Sequence, residues 1–456
     1  MRGSTFQRRV ALIMLALLVF AVLAACGGGG SKATSTSATG ATVTSRASAS
    51  AGSPQAQGTP SASPYSASPS VNSTVTPHKI GGSGTPGASP STSSTPVGPA
   101  TATAGPTKTS SVDHRGDAFA YGWNVAVRGD KDGGPHNDKV IAAVQDTGFG
   151  WVRFQVEWRQ IERQPDQWDP LPLDTLVNQF NSQGIQILIV VAKAPDWALD
   201  PNGTQFLTDF GRFQHVMNFL ADRYQGKVQA WEIWNEENLA TEMGGKVRPR
   251  DYVELLKAGS AGVRAGDPNA KVVFGGLTPN GVNDPAIAID DVQFLRLIYN
   301  LGGDGVKNAF DILGAHVSST HNTPDDMYPD HPGDKQGWND HPSFFFRRAE
   351  QLRQVMLQFG DDAKSMWITE FGWTTANQAP GYEYGADNTE QNVADYLTRS
   401  FEIMRTEWDF VTGAFVWNLN WSTLAPATDE KSPWSAVNAD WSPRPAYAAM
   451  KALSKP

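Results

Sequence analysis

From about residue 113 to the end of the chain, short apolar runs of strand length alternate with amphipathic stretches of helical period, and the alternation repeats eight times. The strand-type runs are 118–125, 151–156, 186–192, 229–234, 271–275, 310–316, 365–369 and 413–418. Helix-type stretches such as 209–224, 250–265, 344–359, 390–405 and 446–453 lie between or after them, the second stopped by Gly266-Asp267-Pro268. Strands separated by helices are expected to pair in parallel, with the helices covering the sheet. Eight such units in about 340 residues predict one α/β domain, a single (β/α)8 TIM barrel over 113–456, with a doubly wound sheet as the competing arrangement. A barrel places its chemistry at the C-terminal ends of its strands.

The first 112 residues cannot join that core. Arg2, Arg8 and Arg9 precede an uncharged apolar run over 10–22, too short for a membrane span and followed by small residues, which reads as a signal peptide over 1–25. Leu23-Ala24-Ala25-Cys26 resembles the lipobox of bacterial lipoproteins, and Cys26 is the single cysteine of the chain. The resemblance implies lipidation at Cys26 and an extracytoplasmic protein anchored to the membrane, or secreted if the lipobox is not used. The remainder, 26–112, is Ser, Thr, Pro, Gly and Ala with almost nothing large to bury, the composition of a disordered tether. With its one cysteine used as an anchor, the domain has no disulfide and is held together by its core. A net charge of -9 argues against a nucleic-acid partner.

All fifteen tryptophans follow the tether, and two tryptophan-rich stretches each carry a glutamate at a strand end: Trp231-Glu232-Ile233-Trp234-Asn235-Glu236 and Trp367-Ile368-Thr369-Glu370-Phe371-Gly372-Trp373. Glu236 follows strand four and Glu370 strand seven, positions that can face each other across a barrel mouth. Paired carboxylates are what glycoside hydrolysis needs: one to protonate the leaving oxygen, one to attack or to activate water. Indole faces suit the C–H surfaces of a pyranose. Of the neighbouring acids, Glu232 inside the strand reads as a buried, paired carboxylate and Glu237 as a loop residue at the rim. Trp151, Trp231 and Trp367 begin strands and read as core. Trp197, after strand three, and Trp373, just past Glu370, are the candidate sugar platforms, and Trp421, Trp434 and Trp441 are candidate cleft walls.

Gly150-Trp151-Val152-Arg153-Phe154, Trp234-Asn235-Glu236 and Ile368-Thr369-Glu370-Phe371-Gly372-Trp373 together resemble the retaining glycoside hydrolases of clan A, family 39 most and the family 5 cellulases next. The likeness extends from Tyr121 to Tyr447. It implies Glu236 as general acid/base, Glu370 as nucleophile and Asn235 as a contact to the sugar 2-hydroxyl. It also implies Arg153 as the cation that keeps the nucleophile ionised, His316 as a residue lining the site and Trp417 as the aromatic floor. Two departures stand out. Ser318 occupies a position where relatives carry a tyrosine directed at the nucleophile, so that either another tyrosine such as Tyr328 serves or none does. Glu237 replaces a proline that often follows the Asn-Glu pair.

The expectation is therefore a retaining hydrolase of a β-linked polysaccharide or oligosaccharide, monomeric, needing no cofactor or metal, and bound to a lipid bilayer through Cys26. A non-catalytic sugar-binding lipoprotein and a transglycosylase using the same two glutamates are the alternatives. The polar stretch 316–341, with His321, Asp325, Asp326, Asp330, His331, Asp334 and Asp340, reads as a substrate-shaping loop, with calcium binding the other use of its oxygens.

Overall fold

The computed structural model describes residues 112–455, except 130–132, 201–204, 331–332 and 334–336. The signal peptide, Cys26 and the tether lie outside the described residues, as do His331 and Asp334. Among the described residues no helix is long and apolar enough to cross a membrane.

The apolar runs form eight strands, β1 Ala120–Asn124, β2 Trp151–Glu157, β3 Gln186–Ala192, β4 Ala230–Ile233, β5 Lys271–Phe274, β6 Leu313–Ser318, β7 Met366–Gly372 and β8 Val411–Val416. They pair in parallel in the order β6-β7-β8-β1-β2-β3-β4-β5. Bridges Val273 to Ile312 and Leu277 to Ala315 close the ring between β5 and β6. A helix follows each strand: α1 Gly133–Asp146, α2 Leu171–Ser182, α3 Phe210–Arg223, α4 Pro249–Gly266, α5 Asp291–Lys307, α6 Arg348–Gln358, α7 Glu390–Thr406 and α8 Pro445–Ala452. This is the (β/α)8 barrel that the alternation predicts. Its strands are buried on both faces, which is why β3 reads Ile-Leu-Ile-Val-Val-Ala with no polar alternation.

Ala120, Leu188, Ala230, Val273, Ile312, Trp367 and Phe415, with Trp151 against them, fill the lower barrel as an apolar plug. Small residues from β1 and β4 leave room for the three large side chains, Trp151, Trp367 and Phe415. Trp151, Trp231 and Trp367 pack as expected. Above the plug the interior turns polar, with Asn124, Arg153, Glu232, His316 and Thr369 all buried. A charged layer on an apolar floor has meaning only if its members satisfy one another.

Most strands differ from their expected bounds by one to three residues at an end, and the differences in β6 and β7 bear on the site. β6 begins later than its apolar run: before Leu313 the chain meets β5 through the single Val273–Ile312 bridge, and the Asp311 side chain accepts from the Val272 N–H and pairs with Arg264. It then continues past His316 to Ser318, with a register shift between Ala315 and His316. β7 runs through Glu370 to Gly372, and its pairing with β8 shifts between Ile368 and Phe371. Extra residues in a ladder re-aim side chains. The two irregularities thus fall at His316 and at the Thr369-Glu370 step.

Candidate active site

Arg153 organises the polar layer. β2 carries its guanidinium into the barrel, where Nε donates to Glu232 Oε2 at 2.6 Å, Nη1 to Glu370 Oε1 at 2.6 Å and to Asn124 Oδ1 at 2.8 Å, and Nη2 to Asn235 Oδ1 at 3.0 Å. A buried guanidinium is tolerable only with such a set of partners. Glu232 is likewise saturated: its Oε1 accepts from the Gly276 N–H at 2.9 Å and from Thr369 Oγ1 at 3.1 Å. It is the buried, paired acid that its place inside β4 suggests.

Glu236 stands on the turn after β4, in a left-handed backbone conformation with φ of 48°. Its N–H donates to the Gly276 carbonyl at 3.1 Å, tying the turn to the end of β5. Across the mouth, Glu370 projects from β7, and His316 lies between the two. His316 Nδ1 is 3.1 Å from Glu236 Oε1, and Nε2 is 3.5 Å from Glu370 Oε1. One atom from each of Glu236, His316 and Glu370 lies within 4.8 Å of the others. Two carboxylates this close make it costly for both to be ionised at once.

The electrostatics separate the two glutamates. Burial raises the Glu236 carboxyl to about 7, and the charge of Glu430 adds to the rise; the Thr278 hydroxyl, Arg153 and Lys193 pull the other way. Burial raises Glu370 too, while His316 and Arg153 oppose it and Glu236 adds to it. Arg153 decides between them, because it bonds Glu370 directly and does not bond Glu236. Glu370 is therefore the member of the pair that holds a negative charge, and Glu236 the one that holds a proton near neutral pH. Burial lowers His316 while Glu370 and Glu232 oppose the shift, and of its two nitrogens Nδ1 is the one within hydrogen-bond distance of a carboxyl, that of Glu236.

Other expected site residues fall in different places. Asn235 sits beside Glu236 with its carbonyl oxygen committed to Arg153. Trp417 directly follows β8, half-buried and tilted against Trp421 with ring centroids 4.7 Å apart, and the Trp417–Asn418 peptide is cis. Trp197 is half-buried, edge-on to Trp158 at 5.7 Å, its indole N–H on the Glu162 carbonyl. Trp373 is a correction: it is 1% exposed, packed between Phe346 and Tyr396 with its N–H on the Asn322 carbonyl, and has no face left for a sugar. The residue after Phe371-Gly372 turns away from the mouth because the strand has already ended. Trp434 packs on Tyr382, whereas Trp441 packs on His136.

No tyrosine hydrogen-bonds to Glu370 among the described residues. Tyr328 is 38% exposed and rests on Phe345. In place of a phenol, Glu370 has the Arg153 guanidinium, with His316 Nε2 lying 3.5 Å away and short of a hydrogen bond. Among the described residues after β6, His321 bridges Asp387 at 2.7 Å and the Gly337 carbonyl at 2.9 Å, and Asp325 is gripped by Arg399 at 2.7 Å. Glu237 is a second correction, fully buried rather than at the rim.

Sequence reasoning missed Asn124 and Gly276. Asn124 ends β1 in register with Arg153, and its amide donates to the Thr369 carbonyl at 2.9 Å, so it fixes both ends of the Arg153–Glu370 contact. Gly276 is needed for space. A Cβ there would lie 2.2 Å from His316 Nε2 and 2.7 Å from Thr369 Oγ1. Gly276→Ala is expected to turn His316 out of place and lower kcat by about tenfold to a hundredfold, since displacements of about 1 Å carry such effects. Gly150→Ala, where a Cβ meets nothing within 4 Å, is the control that should leave kcat unchanged in the same assay.

The model for the cellulases, glycosyl hydrolase family 5, matches residues 112–413. Among solved structures the chain is similar to a family 39 glycoside hydrolase from the gut symbiont Bacteroides cellulosilyticus WH2. That likeness has a TM-score of 0.56 and 20% identity, over 75% of this chain and 65% of that one. A glucosidase from Croceicoccus marinus follows with a TM-score of 0.53, 15% identity and coverage of 76% and 69%. A family 39 β-xylosidase from Caulobacter crescentus gives 0.51, 15% and coverage of 76% and 73%. At such identities the likeness shows the fold, and the chain spans 65% of the length of the first of these structures. Comparison with curated protein sequences finds no match. The matched segment runs from the residue before the domain into β8 and takes in the Arg153–Glu370 pair, Glu236 and His316, so the chain belongs to the cellulase family, glycosyl hydrolase family 5.

Proposed function

We propose that the domain hydrolyses a β-linked glycan with retention of anomeric configuration. One observation carries the reading: two glutamates with oxygens within 4.8 Å of each other, of which one is bonded to a buried arginine and the other is not. A gap near 5 to 5.5 Å leaves no room for a water between carboxylate and sugar, which favours direct attack over inversion. Glu370 attacks the anomeric carbon as Glu236 gives its proton to the departing oxygen. Glu236, now a carboxylate, then takes a proton from the water that releases the sugar. Asn235 has its carbonyl oxygen on Arg153, which leaves its N–H groups for the 2-hydroxyl. Trp417 offers the apolar floor.

Charge bears on the substrate. All 46 acidic side chains lie after Val112, and 30 of the 37 basic ones do, so the folded part carries a net charge of -16. A neutral glycan meets no repulsion there, whereas a polyanionic one does. Together with the lipobox-like Leu23-Ala24-Ala25-Cys26, this supports a neutral polysaccharide or oligosaccharide met outside the cytoplasm, with the domain attached to the membrane through Cys26.

The test is to incubate the purified domain with a panel of neutral β-glycans and follow the newly formed reducing end by proton NMR. The β-anomer is expected first, with mutarotation later. Initial appearance of the α-anomer would replace retention by inversion, and binding without turnover across the panel would replace catalysis by sugar binding.

A further inference from the structure

The residue after Glu236 is a glutamate where the resemblance leads one to expect proline, and its side chain goes inward. Glu237 is 0% exposed, and neither of its carboxyl oxygens has a hydrogen-bond partner among the described residues. The carboxyl fills the hollow left by Gly275: a Cβ on that glycine would lie 2.4 Å from Glu237 Oε2 and 2.7 Å from the Ile233 carbonyl oxygen. Tyr252, from α4, closes the hollow from the other side, its hydroxyl donating to the Ile233 carbonyl at 3.2 Å and accepting from the Gly275 N–H at 2.9 Å. The charged and titratable groups around Glu237 are Glu232 on β4, Glu236 on the turn and the Tyr252 phenol on α4. Arg153, the cation of the layer, is engaged by Glu232, Glu370, Asn124 and Asn235.

We infer that Glu237 is a positioning residue held as an uncharged carboxylic acid, and that its burial against Gly275 and Tyr252 fixes the turn that presents Glu236. A carboxylate with no cation, beside two other acids and out of reach of water, is far costlier than the neutral acid. Burial pushes the group well above the usual carboxylate range; its own backbone N–H and the nearby Tyr252 hydroxyl oppose the rise, and Glu232 and Glu236 add to it. The turn is thus held at two points, the Glu236 N–H on the Gly276 carbonyl and the Glu237 side chain beneath Gly275. Both are needed because Glu236 is held in the left-handed region, a conformation that a side-chain-bearing residue leaves when it is not constrained.

The inference rests on the proposed role of Glu236, and its test has one arm that needs no substrate. In the unfolded chain Glu237 ionises near pH 4.3. In the folded one it stays protonated to a higher pH, so its contribution to stability is present in acid and is lost as pH rises above the unfolded value. Glu237→Gln cannot ionise. The difference in Tm between Glu237→Gln and the wild type, taken at pH 4.5 as baseline, is therefore expected to move in favour of the variant by about 2 °C or more by pH 8. Glu237→Met serves for the same reading if the glutamine variant does not fold. Parallel Tm curves for variant and wild type would overturn the uncharged acid.

The second arm is kinetic. Glu237→Ala is expected to lower kcat about tenfold with KM within about twofold of wild type, as loosening one catalytic group without touching the sugar contacts would do. Glu237→Gln is expected to restore kcat and leave the alkaline limb of the pH profile in place. Full kcat in Glu237→Ala would overturn positioning, and a glutamine variant as inactive as the alanine one would mean that the acidic proton of Glu237 takes part. If the Tm arm holds while no glycan is turned over by the wild type, the uncharged acid stands and the hydrolase reading falls.

Discussion

Glu370→Ala is expected to lower kcat on an active β-glycan by on the order of 10⁴- to 10⁶-fold, the loss that follows removal of a covalent nucleophile. KM is expected to change far less, because Glu370 has a 17% exposed side chain whose main task in the free protein is to face Arg153. Added azide should recover turnover of an aryl β-glycoside in this variant, entering the space of the lost carboxylate and giving the α-glycosyl azide. That product, identified by NMR, ties the group to the face of the sugar that it attacks. Recovery without an α-azide, or activity near that of the wild type, would remove Glu370 from the reaction. Folding of the variant has to be checked by circular dichroism, since Arg153 loses one of two carboxylate partners and keeps Glu232 alone to balance its buried charge.

For Glu236→Ala the expected loss is about 10²- to 10⁴-fold, and it should depend on the leaving group. An aryl glycoside whose phenol leaves readily needs little protonation, so its first step should be nearly spared, whereas a sugar leaving group should suffer the full loss. The pH profile gives a second reading. Glu236 must carry its proton to act, and burial holds it at about 7, so kcat/KM of the wild type should fall as pH rises through about 7. That limb should vanish in Glu236→Ala. The acid limb should remain, because it reflects protonation of Glu370, the carboxylate that must stay charged.

Much of this arrangement is legible in the residues because the fold repeats itself. Each apolar run that is buried on both faces marks a barrel strand, and counting them puts Glu236 after β4 and Glu370 on β7. Arg153 is readable by another route, because Gly150-Trp151-Val152-Arg153-Phe154 resembles the run that carries the clan's nucleophile-pairing arginine. Less legible are matters of close approach. Nothing local distinguishes Gly276 from any glycine in a turn; its meaning comes from His316, forty residues on, lying where a Cβ would be. Glu237 looks like a surface acid because charge usually goes to water, and the hollow that takes it is made by Gly275 and Tyr252 from other segments. Trp373 looks like a sugar platform by its neighbour, but the indole follows the chain out of the strand into the helical layer. The missing tyrosine at Ser318 has no sequence-visible substitute, because the partner of Glu370 is an arginine five strands away in chain order.

Arg153 holds groups from β1, β4 and the turn after it, and β7 with four hydrogen bonds from the same guanidinium that governs the charge on Glu370. Strength of the hoop and reactivity of the carboxylate are in this sense one variable. Loops at the rim can drift and change which glycan is accepted with little consequence for folding. A change at the hub has no such freedom, so diversification of a barrel like this one proceeds from the outside inward and stops at the arginine.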